Sequence, residues 1–236
     1  MKVYNKSCEN MSELLDCSVD LVITSPPYKD EDGYSDDMIR LLTSELNRVM
    51  KNDSLAFINF GHLSGLKDRP FNMVKLLQQQ TPYGQLLFVD TIIWVKSSIY
   101  TGGHYTPINS PYMLNNMFEY IFQFSKGNAK IDKLSIGVPY KDKSNIARYG
   151  KQDIRCAGNV WYVTYPTVQS KKQKPHKDMF PEEIPKKCIK LAGIKEGSLV
   201  LDPFMGSGTT GRVAEKMGME SVGYELNQKY FDKYIF

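Results

Sequence analysis

The chain has no stretch approaching the ~20 consecutive apolar residues that cross a bilayer. Its first residues, Met1-Lys2-Val3-Tyr4-Asn5, also lack the apolar region of a secretory signal. A cytoplasmic protein without a membrane partner is expected. The four cysteines, Cys8, Cys17, Cys156 and Cys188, form no Cys-x-x-Cys pair, and the three histidines, His62, His104 and His176, have no ligand spacing. No disulfide framework or zinc site is indicated, so no metal is expected and the cysteines read as small apolar residues. His62 and His104 read as ordinary loop residues. The net charge is only +4, but it is uneven: Lys171, Lys172, Lys174, His176 and Lys177 crowd one segment, and Lys141, Arg148, Lys151 and Arg155 mark another. Either cluster could neutralise phosphates or be a solvated surface loop.

What is present is an alternation of apolar runs and helical spacings. At 236 residues the chain suits one large domain, or one domain with an insertion. Val19 to Thr24 is a short apolar run ended by Pro-Pro, as a buried strand would be. Ile39, Leu42, Leu46 and Val49 then fall at helical spacing, with Ser35 or Asp36 able to cap the helix. Lys51-Asn52-Asp53 is read as a break before a strand at Ser54 to Phe60. A helix is predicted from Pro70, with strands at Leu86 to Val95 and Met117 to Phe124, and a further apolar segment at Trp161-Tyr162-Val163. Pro181 opens a helix with Ile184, Cys188 and Leu191 on one face. A strand at Ser198 to Leu201, a helix at Thr209 to Met217 stopped by Gly218, and a last strand at Ser221 to Tyr224 follow. This alternation predicts a mostly parallel α/β sheet with helices on both faces. Residues 127–158 lose periodicity and gain charge, so they are the expected insertion or recognition element.

Two strings follow apolar runs. Gly206-x-Gly208-x-x-Gly211 sits between a strand and a helix, where glycine permits close backbone approach and a helix start offers free N–H groups. A nicotinamide enzyme opens its nucleotide domain with this pattern, yet only 11 residues follow Glu225 here, so the remaining strands must precede the glycines. A P-loop is excluded because no Gly-Lys-Ser/Thr is present. Glu225, ending the strand after the glycine helix, could accept both hydroxyls of an adenosine ribose.

The other string is Ser25-Pro26-Pro27-Tyr28. Paired with Asp202-Pro203-Phe204-x-Gly206-Ser207-Gly208-Thr209, it resembles the DNA amino-methyltransferases, in the β-group order with the tetrapeptide before the cofactor loop. The resemblance covers nearly the whole chain, including Leu41-Leu42 through Lys51, Trp94-Val95-Lys96, Glu119-Tyr120-Ile121-Phe122, Phe124-Ser125-Lys126-Gly127 and Phe180-Pro181. It implies a circularly permuted Rossmann-like methyltransferase fold in a single domain, 1–236, with a small DNA-recognition insertion at about 127–158 and a basic loop at 165–177. It further implies S-adenosyl-L-methionine as cofactor and double-stranded DNA as partner, the chain acting as a monomer or homodimer.

The chemistry accounts for the residue types. An exocyclic amine conjugated to its ring is a poor nucleophile until acceptors draw its lone pair out of the ring plane. The Ser25 hydroxyl and the Pro26 carbonyl could do so, with Pro26 and Pro27 holding them rigidly. Tyr28 offers a face to a base swung out of the helix. Methylation at C5 would need a Pro-Cys nucleophile, and no cysteine here follows a proline. Serine in the first position resembles the N4-cytosine enzymes, whereas Asp is usual among N6-adenine enzymes, which remain the alternative. A catalytically silent nucleic-acid-binding protein that holds the cofactor is a second alternative. By resemblance, Phe180 and Phe204 flank the cofactor, Asp202 anchors its amino-acid end, and Gly206, Ser207, Gly208, Thr209 and Glu225 complete the pocket. Lys171, Lys172, Lys174 and His176 are the expected phosphate contacts. Where the family often has an acid near the adenine, this chain has Ser7-Cys8, so a different contact is expected there.

Overall fold

Val19–Thr24 forms a strand, β2, with apolar residues on both faces, as a central parallel strand requires. The computed structural model describes residues 1–30, 33–61, 66–96, 110–144, 146, 152–164 and 180–234. In chain order the remaining elements are β1 (Lys2–Tyr4), α1 (Asp36–Val49), β3 (Met50–Gly61), α2 (Arg69–Leu77), β4 (Leu87–Val95), β5 (Phe118–Lys126) and β6 (Val160–Tyr162). They are followed by α3 (Glu183–Ala192), β7 (Leu199–Asp202), α4 (Thr209–Lys216), β8 (Glu220–Tyr224) and α5 (Gln228–Tyr234).

The strands form one sheet in the order β1-β8-β7-β2-β3-β5-β4-β6. Among the described strands only β5 runs against its neighbours, pairing antiparallel with both β3 and β4. Alternate residues of β2 serve opposite cores. Val22 packs with Ile39, Leu42 and Leu46 of α1 and with Met73 and Leu77 of α2. Leu21 and Ile23 pack with Ile184 and Cys188 of α3 and with Val213 and Ala214 of α4. Helices therefore cover both faces, as the apolar runs implied.

From β2 the chain goes outward through β3, then returns to lay β7 against the other side of β2. The strand that carries the glycine segment thus comes late in sequence yet lies inside the sheet, which is the predicted permutation. Ligands of open α/β sheets bind beyond the carboxyl ends of strands at such a switch point. Ser25 and Pro203 immediately follow β2 and β7, so both sequence strings emerge there.

Ser35 is the cap of α1: its hydroxyl accepts from the Met38 N–H at 3.0 Å, and Asp36 and Asp37 fill the first turn. Ser35→Ala is expected to cost about 1 kcal/mol of stability, read from the urea denaturation midpoint.

Three readings need correction. Lys51-Asn52-Asp53 does not break the chain; β3 already begins at Met50. The turn-forming residues instead bulge: Val19 pairs with Met50 but Leu21 with Leu55, and Asp53 takes a φ of +58°. Cys8 and Cys188 are buried, but Cys17 and Cys156 are exposed in loops and do not act as core residues. Burial pushes the Cys8 thiol up to about 12. The strand β1 and the helix α5 were not predicted, because three residues and a polar terminal turn show no usable period.

Candidate active site

Ser25-Pro26-Pro27-Tyr28 leaves the carboxyl end of β2 as a braced turn. The Arg69 guanidinium, at the start of α2, donates to the Tyr28 carbonyl at 2.9 Å, pairs with Asp30 at 3.0 Å and lies 4.4 Å from the Tyr34 ring centre. The Tyr34 N–H closes the loop onto the Lys29 carbonyl at 3.0 Å. The Tyr28 ring packs on Phe60 with centres 4.5 Å apart, and its hydroxyl lies 3.0 Å from Ser25 Oγ.

On the adjacent strand, Asp202 is buried, and its Oδ1 accepts from Thr24 Oγ1 at 2.6 Å and from the Phe204 N–H at 3.1 Å. The Thr24 bond ties the residue before the tetrapeptide to the residue that opens the glycine segment. Burial dominates the Asp202 environment and pushes its carboxyl up to about 6, against the hydrogen bonds that favour the charged form. Gly206 and Gly208 turn with φ of +52° and +75°, conformations that L side chains resist, and Gly208 caps α4.

Glu225, immediately after β8, reaches back to this loop. Its Oε2 accepts from the Gly206 N–H at 2.8 Å and its Oε1 from the Asn227 N–H at 2.7 Å. Burial raises its pKa. Each carboxylate oxygen has a second lone pair, so the two bonds orient Glu225 while leaving acceptors for a diol.

These walls enclose a cavity of about 690 Å³. Ser25, Pro26, Pro27 and Tyr28 line one side. Phe180, Asp202, Phe204, Gly206, Ser207, Thr209 and Glu225 line the other, while Gly208 contributes the helix cap. The volume and the mixture of aromatic and acceptor groups fit a nucleoside-sized ligand carrying an amino-acid tail. Lys171, Lys172, Lys174 and His176 lie outside the described residues, as do His62 and His104.

The structure also places Ser7-Cys8, where the sequence suggested an altered contact, and adds residues to which the sequence assigned no role. Lys6, Ser7, Cys8 and Glu9 form a further stretch of cavity wall. The carboxylate of Glu9, bonded to Ser7 Oγ at 2.8 Å, brings an acid next to the position where Ser7-Cys8 had suggested none. Asn59, Lys96 and Glu119 lie behind Tyr28. A charge within the apolar strand β5 and another directly after β4 were the available signal for the last two. Among the described residues no three His, Cys, Asp or Glu side chains are arranged to hold a metal, and no helix is long and apolar enough to cross a membrane.

A glycine turn and a buried carboxylate at the switch point, facing a proline-braced tetrapeptide across one cavity, suit one class: an S-adenosylmethionine-dependent methyltransferase. The sequence model of the N6/N4 DNA methylase family matches residues 19–236, and the chain belongs to that family. It is a DNA methyltransferase, and its cofactor is S-adenosylmethionine. The orphan methyltransferase M.BamHII of Bacillus amyloliquefaciens is 30% identical over 92% of this chain and 87% of its own length. The DNA adenine methyltransferase YhdJ of Escherichia coli K12 is 28% identical over 90% of this chain and 74% of its own. Among solved structures, the cytosine-N4-specific PvuII DNA methyltransferase aligns with a TM-score of 0.72 at 19% identity, covering 99% of this chain and 84% of that one. The complex of M1.HpyAVI with S-adenosylmethionine aligns at 0.62 and 19%, covering 99% and 98%.

Proposed function

We propose that the protein methylates the exocyclic N4 of a flipped cytosine in double-stranded DNA, with the reaction centred on Ser25. The observation that carries this reading is the Thr24–Asp202 hydrogen bond of 2.6 Å, which fixes the acceptor tetrapeptide beside the glycine loop in one cavity. The bound cofactor supplies an electrophilic methyl group on its sulfonium.

This chain's residues do the rest. Ser25 Oγ and the Pro26 carbonyl accept the two amino hydrogens, turning the nitrogen lone pair toward the methyl group, and the prolines hold both acceptors still. Tyr28 receives the base edge-on or stacked. Glu225 accepts the ribose hydroxyls, Asp202 holds the amino-acid end, and Phe180 and Phe204 flank the adenine.

Serine, rather than a carboxylate, in the first position favours cytosine. The adenine-N6 reading is kept because YhdJ, named as an adenine enzyme, is 28% identical to this chain. DNA approaches over the carboxyl edge of the sheet, where Tyr112 and Leu114, between β4 and β5, are more than nine-tenths exposed. Residues 127–158 are a weaker recognition candidate, since they begin at the end of β5 that pairs with Ser54, at the opposite edge, and Asp132 is pinned to the Leu191 carbonyl there.

The test is nucleoside mass spectrometry after incubating unmethylated genomic DNA with enzyme and labelled cofactor. Labelled N4-methylcytosine is expected; N6-methyladenine would replace the first reading by the second.

A further inference from the structure

The hydroxyl of Tyr28 has one hydrogen and, among the described residues, lies within hydrogen-bonding distance of oxygens on Asn59, Glu119 and Ser25. It lies 3.1 Å from Asn59 Oδ1, 3.2 Å from Glu119 Oε2 and 3.0 Å from Ser25 Oγ. Two of these neighbours can only accept. The Asn59 amide is oriented by its own nitrogen, which donates to the Tyr120 carbonyl at 3.0 Å, so its oxygen faces Tyr28. Glu119 is buried, and Lys96 is ion-paired to its other oxygen.

The phenol proton therefore points to Glu119 or Asn59, and the phenol oxygen is left to accept from the Ser25 hydroxyl. With its proton committed inward, Ser25 presents lone pairs to the cavity. The backbone accommodates this packing at one point: Gly61 pairs with Glu119 in the sheet, and a Cβ there would come within 2.7 Å of the Tyr28 ring and 3.0 Å of Glu119 Oε1.

We propose that Glu119, held by Lys96, is a positioning residue that acts through Tyr28 to make Ser25 a hydrogen-bond acceptor toward the target amine. A serine hydroxyl alone can turn either way; the chain Ser25 to Tyr28 to Glu119 gives it one direction and lends it part of the carboxylate's charge. The inference rests on the assignment of Ser25 as the amine's acceptor.

Glu119→Gln tests it at nearly constant volume. Lys96 claims the amide oxygen, so the new NH₂ group faces Tyr28 and the directional preference is lost. Single-turnover methyl transfer to unmethylated genomic DNA, with tritiated S-adenosylmethionine, is expected to fall about tenfold or more. Cofactor affinity by titration calorimetry is expected to stay unchanged, while the melting temperature falls because Lys96 loses the carboxylate of Glu119. Tyr28→Phe is expected to show a comparable loss, and the double variant to fall no further than the worse single, since both break one chain. Glu119→Asp, which keeps the charge, is expected to recover part of the rate, and it serves as the primary comparison if the Gln variant folds poorly.

Wild-type rates in Glu119→Gln, multiplying losses in the double variant, a loss confined to cofactor binding, or an Asp variant no better than Gln would each overturn the inference. A Ser25→Ala variant run in parallel separates the layers. If Ser25→Ala keeps the wild-type rate, the underlying reading fails; if it collapses while Glu119→Gln does not, only the role of Glu119 fails.

Discussion

Replacing Ser25 by alanine is expected to lower single-turnover methyl transfer by about 10²- to 10³-fold, the range seen when one preorganised electrostatic group is removed from a reaction centre. Affinity for S-adenosylmethionine is expected to change by less than about twofold, because the acceptor is used only as the amine pyramidalises. The backbone gives no reason for a wider effect. Thr24 stays buried and bonded to Asp202, the prolines retain their fixed φ, and the Tyr28 carbonyl stays on Arg69. What disappears is the Oγ that bonds Tyr28 on one side and faces the cavity on the other. Rapid-quench transfer assays and calorimetry on the same preparation give the two numbers. An unchanged rate with intact binding would show that Ser25 is not the acceptor of the amine, whereas cofactor binding with no transfer by the wild type would identify a protein that holds the cofactor without using it.

The parts of this molecule that were legible in sequence are those encoded locally. Val19–Thr24 and Leu199–Asp202 are apolar runs bounded by proline or by a turn, and their ends carry the strings that line the cavity. The order of those strings, tetrapeptide before glycine turn, anticipated the permutation, and the sheet places β7 directly beside β2. The parts not legible depend on pairing across the sheet. Thr24 and Asp202 are 178 positions apart, and Tyr28 and Glu119 are 91 apart. Neither bond leaves a periodic trace. The Asp53 bulge was hidden for a related reason: Asn-Asp beside Lys reads as a turn, while pairing of β3 with β2 and β5 on either side of it carries the strand through. Glu119 was visible as a charge in an apolar strand and Lys96 as one just past the end of β4, but only the register of Glu119 against Gly61 and Trp94 brings it behind Tyr28.

Asp202→Asn is expected to move cofactor binding and stability in opposite directions. The carboxyl is fully buried, and desolvation lifts it from 3.8 to about 6. Between those values the folded protein binds more protons than the unfolded chain, so this group makes the cofactor-free protein less stable as pH rises from about 4 to about 6, with no further loss above. The total is on the order of 2–3 kcal/mol. Glu225 is also raised by burial and contributes the same sign, so the informative quantity is wild type minus variant. Asparagine keeps the oxygen that accepts from Thr24 and Phe204, while its new N–H group meets the Thr210 hydroxyl, which can accept. The variant should therefore melt higher than wild type at pH 7 and equally at pH 4. Cofactor binding runs the other way. In the proposed site the ammonium of S-adenosylmethionine meets Asp202 and would favour its ionised form, so wild-type affinity should rise with pH up to about 6 and level off. In the variant that pH dependence should vanish and the Kd should rise about 10²-fold, the cost of leaving one member of a buried charge pair alone. Melting curves with and without cofactor across this pH range measure both effects at once. A variant that binds as tightly as wild type would place the amino-acid end of the cofactor on another group.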